Sequence, residues 1–172
     1  MTAQKVNARM SRVYYTFDNM KTDLSIIVRD MANDQWRPDV IVGVARGGHI
    51  PAVMLSHYYD VNYKSVKVQF REKDNSVAIT SITAEMNDFP AAFSTNNRNV
   101  LVVDDINDSG KTFQYIESNV GTQRQKDTMP VVKYAALVDN ICSPFSTDYS
   151  AREINKEEDP SWIVFPWEEW WG

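Results

Sequence analysis

The chain has 172 residues and a mass of 19.7 kDa, and 43% of its residues are hydrophobic, which predicts a single domain, 1–172, with a sizeable core. Its net charge of −5 and isoelectric point near 5.0 argue against a nucleic-acid-binding protein, because such a protein needs a basic face. A lone cysteine, Cys142, excludes an intrachain disulfide, and no long apolar run of the signal-peptide or membrane type is present. We therefore expect a soluble, cytoplasmic protein without a nucleic-acid or membrane partner.

An amphipathic helix is predicted near the amino terminus. Apolar residues recur at helical spacing across residues 24–31, Thr22 is the predicted N-cap, and Asn33 followed by Pro38 marks the end. The preceding residues, 1–19, are mostly polar and are expected to pack as an edge segment.

A strand, a glycine-containing loop and a second helix are predicted next. Residues 40–44 are apolar without alternation, as in a buried strand, and a helical run covers residues 51–59. Between them, Gly47 and Gly48 allow the backbone to approach a ligand closely, and the guanidinium of Arg46 suits phosphate oxygens. Taken alone, the glycine pair is equally typical of a tight turn.

The middle of the chain is predicted to contain a strand and then a lid. Residues 61–71 show strand-like alternation, whereas residues 72–99 are long and polar around a β-prone run at 77–82. A stretch of this length without a clear helix is typical of a loop that covers a site.

The most informative stretch is VLVVDDINDSGKT, residues 100–112. Residues 100–103 predict a strand buried on both faces of a parallel sheet. Asp104 and Asp105 follow at its carboxyl end, where open α/β sheets bind ligands. Because adjacent buried carboxylates are costly, we expect this pair to meet a polyol or Mg²⁺.

Residues 107–112 suit a phosphate dianion, because they supply consecutive backbone N–H groups, hydroxyls and the amino terminus of a predicted helix. A nucleoside-triphosphate P-loop is excluded, since that motif needs a glycine where Asp105 stands. A phosphorylated ribose presents both a polyol and a monophosphate, and it therefore fits the acids and the cradle together.

The second half of the chain completes the predicted sheet. A helix is predicted over residues 113–121 and a buried strand over residues 131–138. Together with the earlier strand–helix units, these elements predict an α/β fold with a doubly wound, mostly parallel sheet.

Residues 100–112 resemble the signature of the type I phosphoribosyltransferases, which has apolar residues, two acids, a variable stretch, then Thr or Ser, Gly, any residue and Thr. The resemblance implies that Asp104 and Asp105 bind the ribose hydroxyls of phosphoribosyl pyrophosphate. It also implies a binding site for the 5′-phosphate at Asp108, Ser109, Gly110, Lys111 and Thr112.

The earlier loop is similar to the pyrophosphate loop of the same family. It implies that Arg46 and Gly47 bind the donor, and family members often hold a cis peptide that here would join Ala45 to Arg46. The predicted lid, 72–99, stands where the family has a flexible loop that closes over the reacting centre.

The carboxyl-terminal residues narrow the resemblance to the bacterial and archaeal xanthine-guanine and hypoxanthine phosphoribosyltransferases. These enzymes carry a small hood, here about residues 140–172, with an aromatic-Ile/Val pair followed by Pro-Trp-acid. By position, Trp162 would stack on the purine and Ile163 would offer backbone groups to its edge. Magnesium would lie at Asp104, Asp105 and Glu168. The other tryptophans are interpreted as anchors of a short tail or a dimer contact: Trp167, Trp170 and Trp171.

The resemblance implies a Mg²⁺-dependent transfer of the phosphoribosyl group from phosphoribosyl pyrophosphate to a purine base. Arg46 would neutralise the leaving pyrophosphate, and Asp108, typical of enzymes for 6-oxopurines, would receive the purine N7 proton. The chain departs from the pattern at Asn140, where relatives usually place a Lys that donates to the 6-oxo group. Asn donates without charge, and we expect it to contact the base.

Two other interpretations stay open. The same fold serves regulators that bind phosphoribosyl pyrophosphate or nucleotides without transferring anything, although Asp108 and Arg46 favour an enzyme. A phosphoribosyltransferase for another base is favoured by Asn140 and opposed by Asp108 and Trp162. The expected partners are phosphoribosyl pyrophosphate and a nucleobase, and a homo-oligomer is compatible with the sequence.

Overall fold

The computed structural model describes residues 11–68, 70–73, 76–79, 99–122 and 130–171. In chain order the elements of this described part are β1 (Arg12–Tyr14), α1 (Phe17–Asn33), β2 (Val40–Ala45), α2 (His49–Tyr59), β3 (Asn62–Lys67), β4 (Phe70–Lys73), β5 (Ser76–Ile79), β6 (Asn99–Asn107), α3 (Lys111–Thr122), β7 (Val131–Asn140), β8 (Tyr149–Ile154) and β9 (Trp162–Val164). Within it, the central sheet is parallel and has the order β3-β2-β6-β7-β8. No helix of the described ranges combines the length and the apolar character that a membrane span needs.

The two faces of the central sheet are covered by different helices. On one face, Ile41 and Leu101 pack in a cluster with apolar residues of α1 and α2. On the other face, Val42 and Val102 pack in a cluster with apolar residues of α3. Because successive residues of β2 and β6 are buried on opposite faces, both strands are apolar without alternation. The predicted doubly wound α/β fold is confirmed.

Helix α1 begins earlier than the apolar pattern predicted. Thr16 is the N-cap, and it forms a reciprocal capping box in which the Asn19 N–H donates to Thr16 Oγ1 and the Thr16 N–H donates to Asn19 Oδ1. The prediction of Thr22 as the N-cap was wrong, since Thr22 lies inside the helix and donates to the Asp18 carbonyl oxygen. The first turn was missed because it is largely exposed and carries no core-facing stripe.

Strand β6 continues beyond the predicted end at Val103. Its pairing with β2 stops at Val103, opposite Gly43, whereas its pairing with β7 continues through Asp104 to Asn107. The predicted strand was too short because β7 supplies a partner for polar residues that sequence pattern alone assigns to a loop. The two acids therefore lie on a part of β6 that is paired with β7 but no longer with β2, at the carboxyl edge of the sheet.

The predicted hood is divided between two sheets. Strand β8 joins the central sheet, and its Arg152 donates to the buried Asp23 of α1 at 2.6 Å. Strand β9 instead pairs with β1, so the amino-terminal edge segment lies against the end of the chain. Strands β4 and β5 form an antiparallel pair at the start of the predicted lid, and the remainder of that lid, 80–98, lies outside the described residues.

Candidate active site

An acid pair lies at the carboxyl edge of β6. Asp104 Oδ1 accepts a hydrogen bond from the Asp105 N–H at 2.9 Å, and Asp105 Oδ1 accepts one from the Ile106 N–H at 2.9 Å. Burial raises the pKa of Asp104 well above its usual range, and the charge of Asp105 adds to the rise. Burial also raises the pKa of Asp105, although hydrogen bonds from its neighbours oppose the change. Hydroxyl donors or a cation would relieve this crowding of negative charge.

The loop after β2 packs directly against the acid pair. A Cβ atom on Gly47 would lie 1.8 Å from Asp105 Oδ2, and one on Gly48 would lie 2.3 Å from the Val103 carbonyl oxygen. Both positions therefore require glycine. The peptide bond between Ala45 and Arg46 is cis, as the resemblance implied, and the Arg46 side chain is exposed.

A cavity of about 700 Å³ opens beside this loop and the acid pair. Arg46 and Lys67 give it two cations, and Asp105 and Glu168 give it two acids. Trp167 also lines it and stacks on the Phe165 ring at 5.0 Å. We call this space the donor cavity.

Lys67 was not predicted as a site residue, although a signal for it existed. It ends β3, and its Cα pairs with that of Ala45 at the end of β2. The carboxyl ends of neighbouring parallel strands meet at one edge of a sheet, so a cation at the end of the next strand is a candidate for the same site.

The predicted phosphate cradle forms the amino terminus of α3. Gly110 has φ +74°, and its carbonyl oxygen accepts the first helical hydrogen bond, from the Gln114 N–H at 2.9 Å. A Cβ atom on Gly110 would lie 2.6 Å from Ser143 Oγ, so the neighbouring loop also requires glycine here. The first N–H groups of a helix have no intrahelical acceptor, which leaves those after Gly110 suited to an anion.

A smaller cavity of about 140 Å³ lies on the other side of Asp105. Asp108 and Lys156 face each other there, with Lys156 Nζ 3.0 Å from Asp108 Oδ2. The same ammonium lies 5.7 Å from the centre of the Trp162 ring, and Trp162 is 48% exposed. Ile163 also lines this space, which we call the base cavity. Sequence reasoning missed Lys156, because the polar segment that holds it shows no motif.

Asn140 lies behind the base cavity. It is 8% exposed, and its Nδ2 donates to the Asp108 carbonyl oxygen at 2.9 Å. Its Oδ1 accepts from the Cys142 N–H at 3.3 Å and from the Lys156 N–H at 3.2 Å. Asn140 is absent from the described residues that line the base cavity, so its side chain braces the backbone around that cavity.

Glu168 lies between the two cavities and lines both. Its Oε2 accepts a hydrogen bond from the N–H of the buried Phe165 at 3.0 Å, which fixes the turn after β9. The negative charge of Glu168 contributes to the raised pKa of Asp105. Within the described residues, no three His, Cys, Asp or Glu side chains converge on a point that would hold a metal.

Comparison with known proteins identifies the family. Residues 17–171 match the phosphoribosyl transferase domain. The xanthine-guanine phosphoribosyltransferase of Cereibacter sphaeroides is 27% identical over 140 residues, which cover 79% of this chain and 71% of that protein. The purine phosphoribosyltransferase structure from Pyrococcus horikoshii is 31% identical, with a TM-score of 0.69 over 93% of this chain and 95% of that one. The xanthine-guanine-hypoxanthine phosphoribosyltransferase of Helicobacter pylori, at 21% identity and a TM-score of 0.70 over 91% and 94%, shares the fold. The chain belongs to the phosphoribosyltransferase family.

Proposed function

We propose that the protein transfers the 5-phosphoribosyl group from phosphoribosyl pyrophosphate to a purine base and releases pyrophosphate. The observation that carries this proposal is the position of Asp105 and Glu168, which line both the donor cavity and the base cavity. A ribose bound at the acid pair would have its anomeric carbon between a cationic space and an aromatic one. The purine phosphoribosyltransferase names of similar proteins support the same assignment.

The donor is proposed to bind along one edge of the sheet. Asp104 and Asp105 accept hydrogen bonds from the ribose hydroxyls, and the cradle formed by 108–112 binds the 5′-phosphate through backbone N–H groups. In the donor cavity, Arg46 and Lys67 lie where the pyrophosphate would carry its charge. The resemblance implied Arg46 for this role, and the structure adds Lys67 as a second candidate.

Magnesium is proposed to bind together with the donor. Carboxylates are hard oxygen ligands of the kind that Mg²⁺ prefers, and the raised pKa of Asp104 and of Asp105 indicates a position where a cation would be favourable. Asp104, Asp105 and Glu168 are the residues proposed to hold it, largely through substrate oxygens and water. When bound, the ion would supply charge neutralisation for the pyrophosphate.

The base is proposed to lie in the base cavity against the Trp162 ring, with its edge near the backbone of Ile163. As the bond between C1′ and the pyrophosphate oxygen breaks, a ring nitrogen of the base forms the new bond to C1′. The proton that the imidazole ring of the purine loses passes to Asp108. Such a transfer uses a free base, which is the chemistry of purine salvage in the cytoplasm.

A turnover screen tests this function. The purified protein is mixed with phosphoribosyl pyrophosphate, Mg²⁺ and one of hypoxanthine, guanine, xanthine, adenine, orotate or uracil, and nucleotide and pyrophosphate are both quantified. We expect purines, and 6-oxopurines above all, to be converted. The Asp108→Ala variant, purified in the same way, is the control, because a contaminating transferase would be equally active in that sample. Conversion of orotate or uracil alone would overturn the purine assignment, and donor binding without any turnover would support a regulator.

A further inference from the structure

Lys156 has no part in the function as proposed so far, yet its side chain reaches into the base cavity. Its ammonium pairs with Asp108 at 3.0 Å and lies 5.7 Å from the centre of the Trp162 ring, which is within cation–π range. The Lys156 side chain is 18% exposed, whereas that of Asp108 is 46% exposed. These two contacts hold the ammonium of Lys156 inside the base cavity, between the Asp108 carboxylate and the Trp162 ring.

The backbone of Lys156 is held in place by Asn140. The Asn140 amide accepts from the Lys156 N–H and donates to the Asp108 carbonyl oxygen, so one side chain fixes both partners of the ion pair. Lys156 itself comes from the segment between β8 and β9, so its ammonium reaches the base cavity from outside the central sheet.

The base cavity offers an acceptor beside a donor, with an aromatic face next to them. A 6-oxopurine protonated at N7 has the complementary edge, because N7–H and the 6-oxo group are adjacent. A 6-aminopurine would instead place an N–H₂ donor against the ammonium. Binding of a 6-oxopurine would let Asp108 and Lys156 each exchange their mutual contact for the matching group of the base.

We infer that Lys156 is the specificity-determining residue that donates to the exocyclic oxygen of a 6-oxopurine, and that Asn140 is the residue that positions it. This inference rests on the proposed function, because it assigns the substrate class of the same site. It reassigns contact with the base from Asn140 to Lys156.

The test compares Lys156→Met with Lys133→Met. Lys133 is a matched control, because its ammonium also pairs with an acid, Asp34, at 3.2 Å and lies over aromatic rings, but it does so on β7 away from both cavities. Calorimetry measures the Kd of each protein for inosine monophosphate, adenosine monophosphate and ribose 5-phosphate. Neither nucleotide carries a proton at N7, so the two compare the 6-oxo group with the 6-amino group independently of the N7 contact with Asp108. Because one charged hydrogen bond is lost, Lys156→Met should weaken inosine monophosphate binding by about 10- to 150-fold. Adenosine monophosphate should bind more tightly than before, because the ammonium that faces its amino group is removed, whereas ribose 5-phosphate should bind as before. Lys133→Met should resemble the wild type.

A double-mutant cycle tests the positioning role of Asn140. Asn140→Ala should lower the preference for inosine over adenosine monophosphate in the wild-type background, while ribose 5-phosphate affinity stays constant. The same substitution should have no further effect on that preference in Lys156→Met, since the side chain that it positions is gone. A preference that falls equally in both backgrounds would overturn the positioning role.

Failure of this inference and failure of the proposed function give different results. A Lys156→Met protein that keeps the wild-type preference for inosine monophosphate, or a wild type without that preference, overturns the role of Lys156 whatever the turnover screen shows. A wild type that binds inosine monophosphate through Lys156 but converts no base supports the inference and overturns the transferase.

Discussion

The donor half and the base half of the candidate site are built in different ways. The donor half consists of the acid pair, the loop at 46–48 and the cradle at 108–112, and the chain packs so tightly there that a Cβ atom on Gly47 would touch Asp105. The base half is assembled from side chains of separate segments. Asp108 follows β6, Lys156 follows β8, and Trp162 is the first residue of β9.

This difference indicates which residues of each half are free to be substituted. Backbone N–H groups and strand-end carboxylates recognise a ribose phosphate in any donor, so the donor half leaves little freedom for substitution. Side chains from separate loops are able to change one at a time, because each depends on its own segment. Substitutions in the donor half should therefore affect every base equally, whereas those in the base half should change the choice of base.

Asp108 belongs to both halves, and its removal should have the largest effect. Asp108→Ala should lower kcat by about 10²- to 10⁴-fold, because a positioned proton acceptor contributes that much, while the Kd for phosphoribosyl pyrophosphate changes little. Steady-state kinetics with the best base and calorimetry with the donor measure the two quantities. Equal losses in kcat and donor affinity would instead assign Asp108 a structural role.

Asp105→Asn should break the donor half without altering the choice of base. A neutral amide loses charge-assisted acceptance from ribose hydroxyls, so donor binding should weaken by about 1.5–3 kcal/mol per charged hydrogen bond lost. The loss should be the same whichever purine is the acceptor. Calorimetry with phosphoribosyl pyrophosphate provides the measurement, and an unchanged donor Kd would contradict the assignment of the acid pair to ribose.

Trp162→Ala should sharpen the comparison from the base side. Loss of stacking on a base costs about 1–3 kcal/mol, so KM for the purine should rise by roughly 5- to 150-fold while the donor Kd stays constant. Trp170→Ala is the matched control, because Trp170 is 79% exposed and lines neither cavity. Two variants with the same purine KM would remove Trp162 from the base cavity.

The donor half was predictable from sequence because its parts are contiguous. Asp104, Asp105 and the cradle occupy one continuous stretch of sequence. The strand before them and the helix after them are both predictable from the apolar pattern and the turn residues. The position of Lys67 depended on strand register and was within reach of the same reasoning. Lys156 was not, because its approach to Asp108 results from the path of the segment between β8 and β9, for which composition gives no sign.

Secondary-structure ends were mispredicted for a related reason. The start of α1 depends on the Thr16 and Asn19 capping box, and the end of β6 depends on a partner strand that is remote in sequence. Apolar periodicity reports which residues face a core. It does not report hydrogen bonds made by exposed caps or by polar residues at the edge of a sheet.

The smallest expected effect concerns stability: we expect the acid pair of the donor half to lower the free energy of unfolding of the ligand-free protein. Because the pKa of Asp104 is raised on folding, the folded state binds more protons than the unfolded state between the ordinary carboxyl pKa and the raised pKa. Stability therefore falls as the pH rises from the ordinary carboxyl pKa to the raised pKa, and it stays reduced at higher pH. Asn has no such proton to lose, so ligand-free Asp104→Asn should melt above the wild type at pH 7, and the gain should vanish below about pH 4.

Thermal melting at both pH values measures this difference, and each kcal/mol corresponds to roughly 2–4 °C for a domain of this size. Asp18→Asn is the control, since the Asp18 side chain is 92% exposed and lies on α1. Saturating phosphoribosyl pyrophosphate should reverse the order of Asp104→Asn and wild type, because the ligand stabilises the protein that binds it more tightly. A ligand-free Asp104→Asn that melts below the wild type at pH 7 would mean that the acid pair is stabilising in itself. The carboxylates of the donor half would then serve to stabilise the fold rather than to bind the ribose.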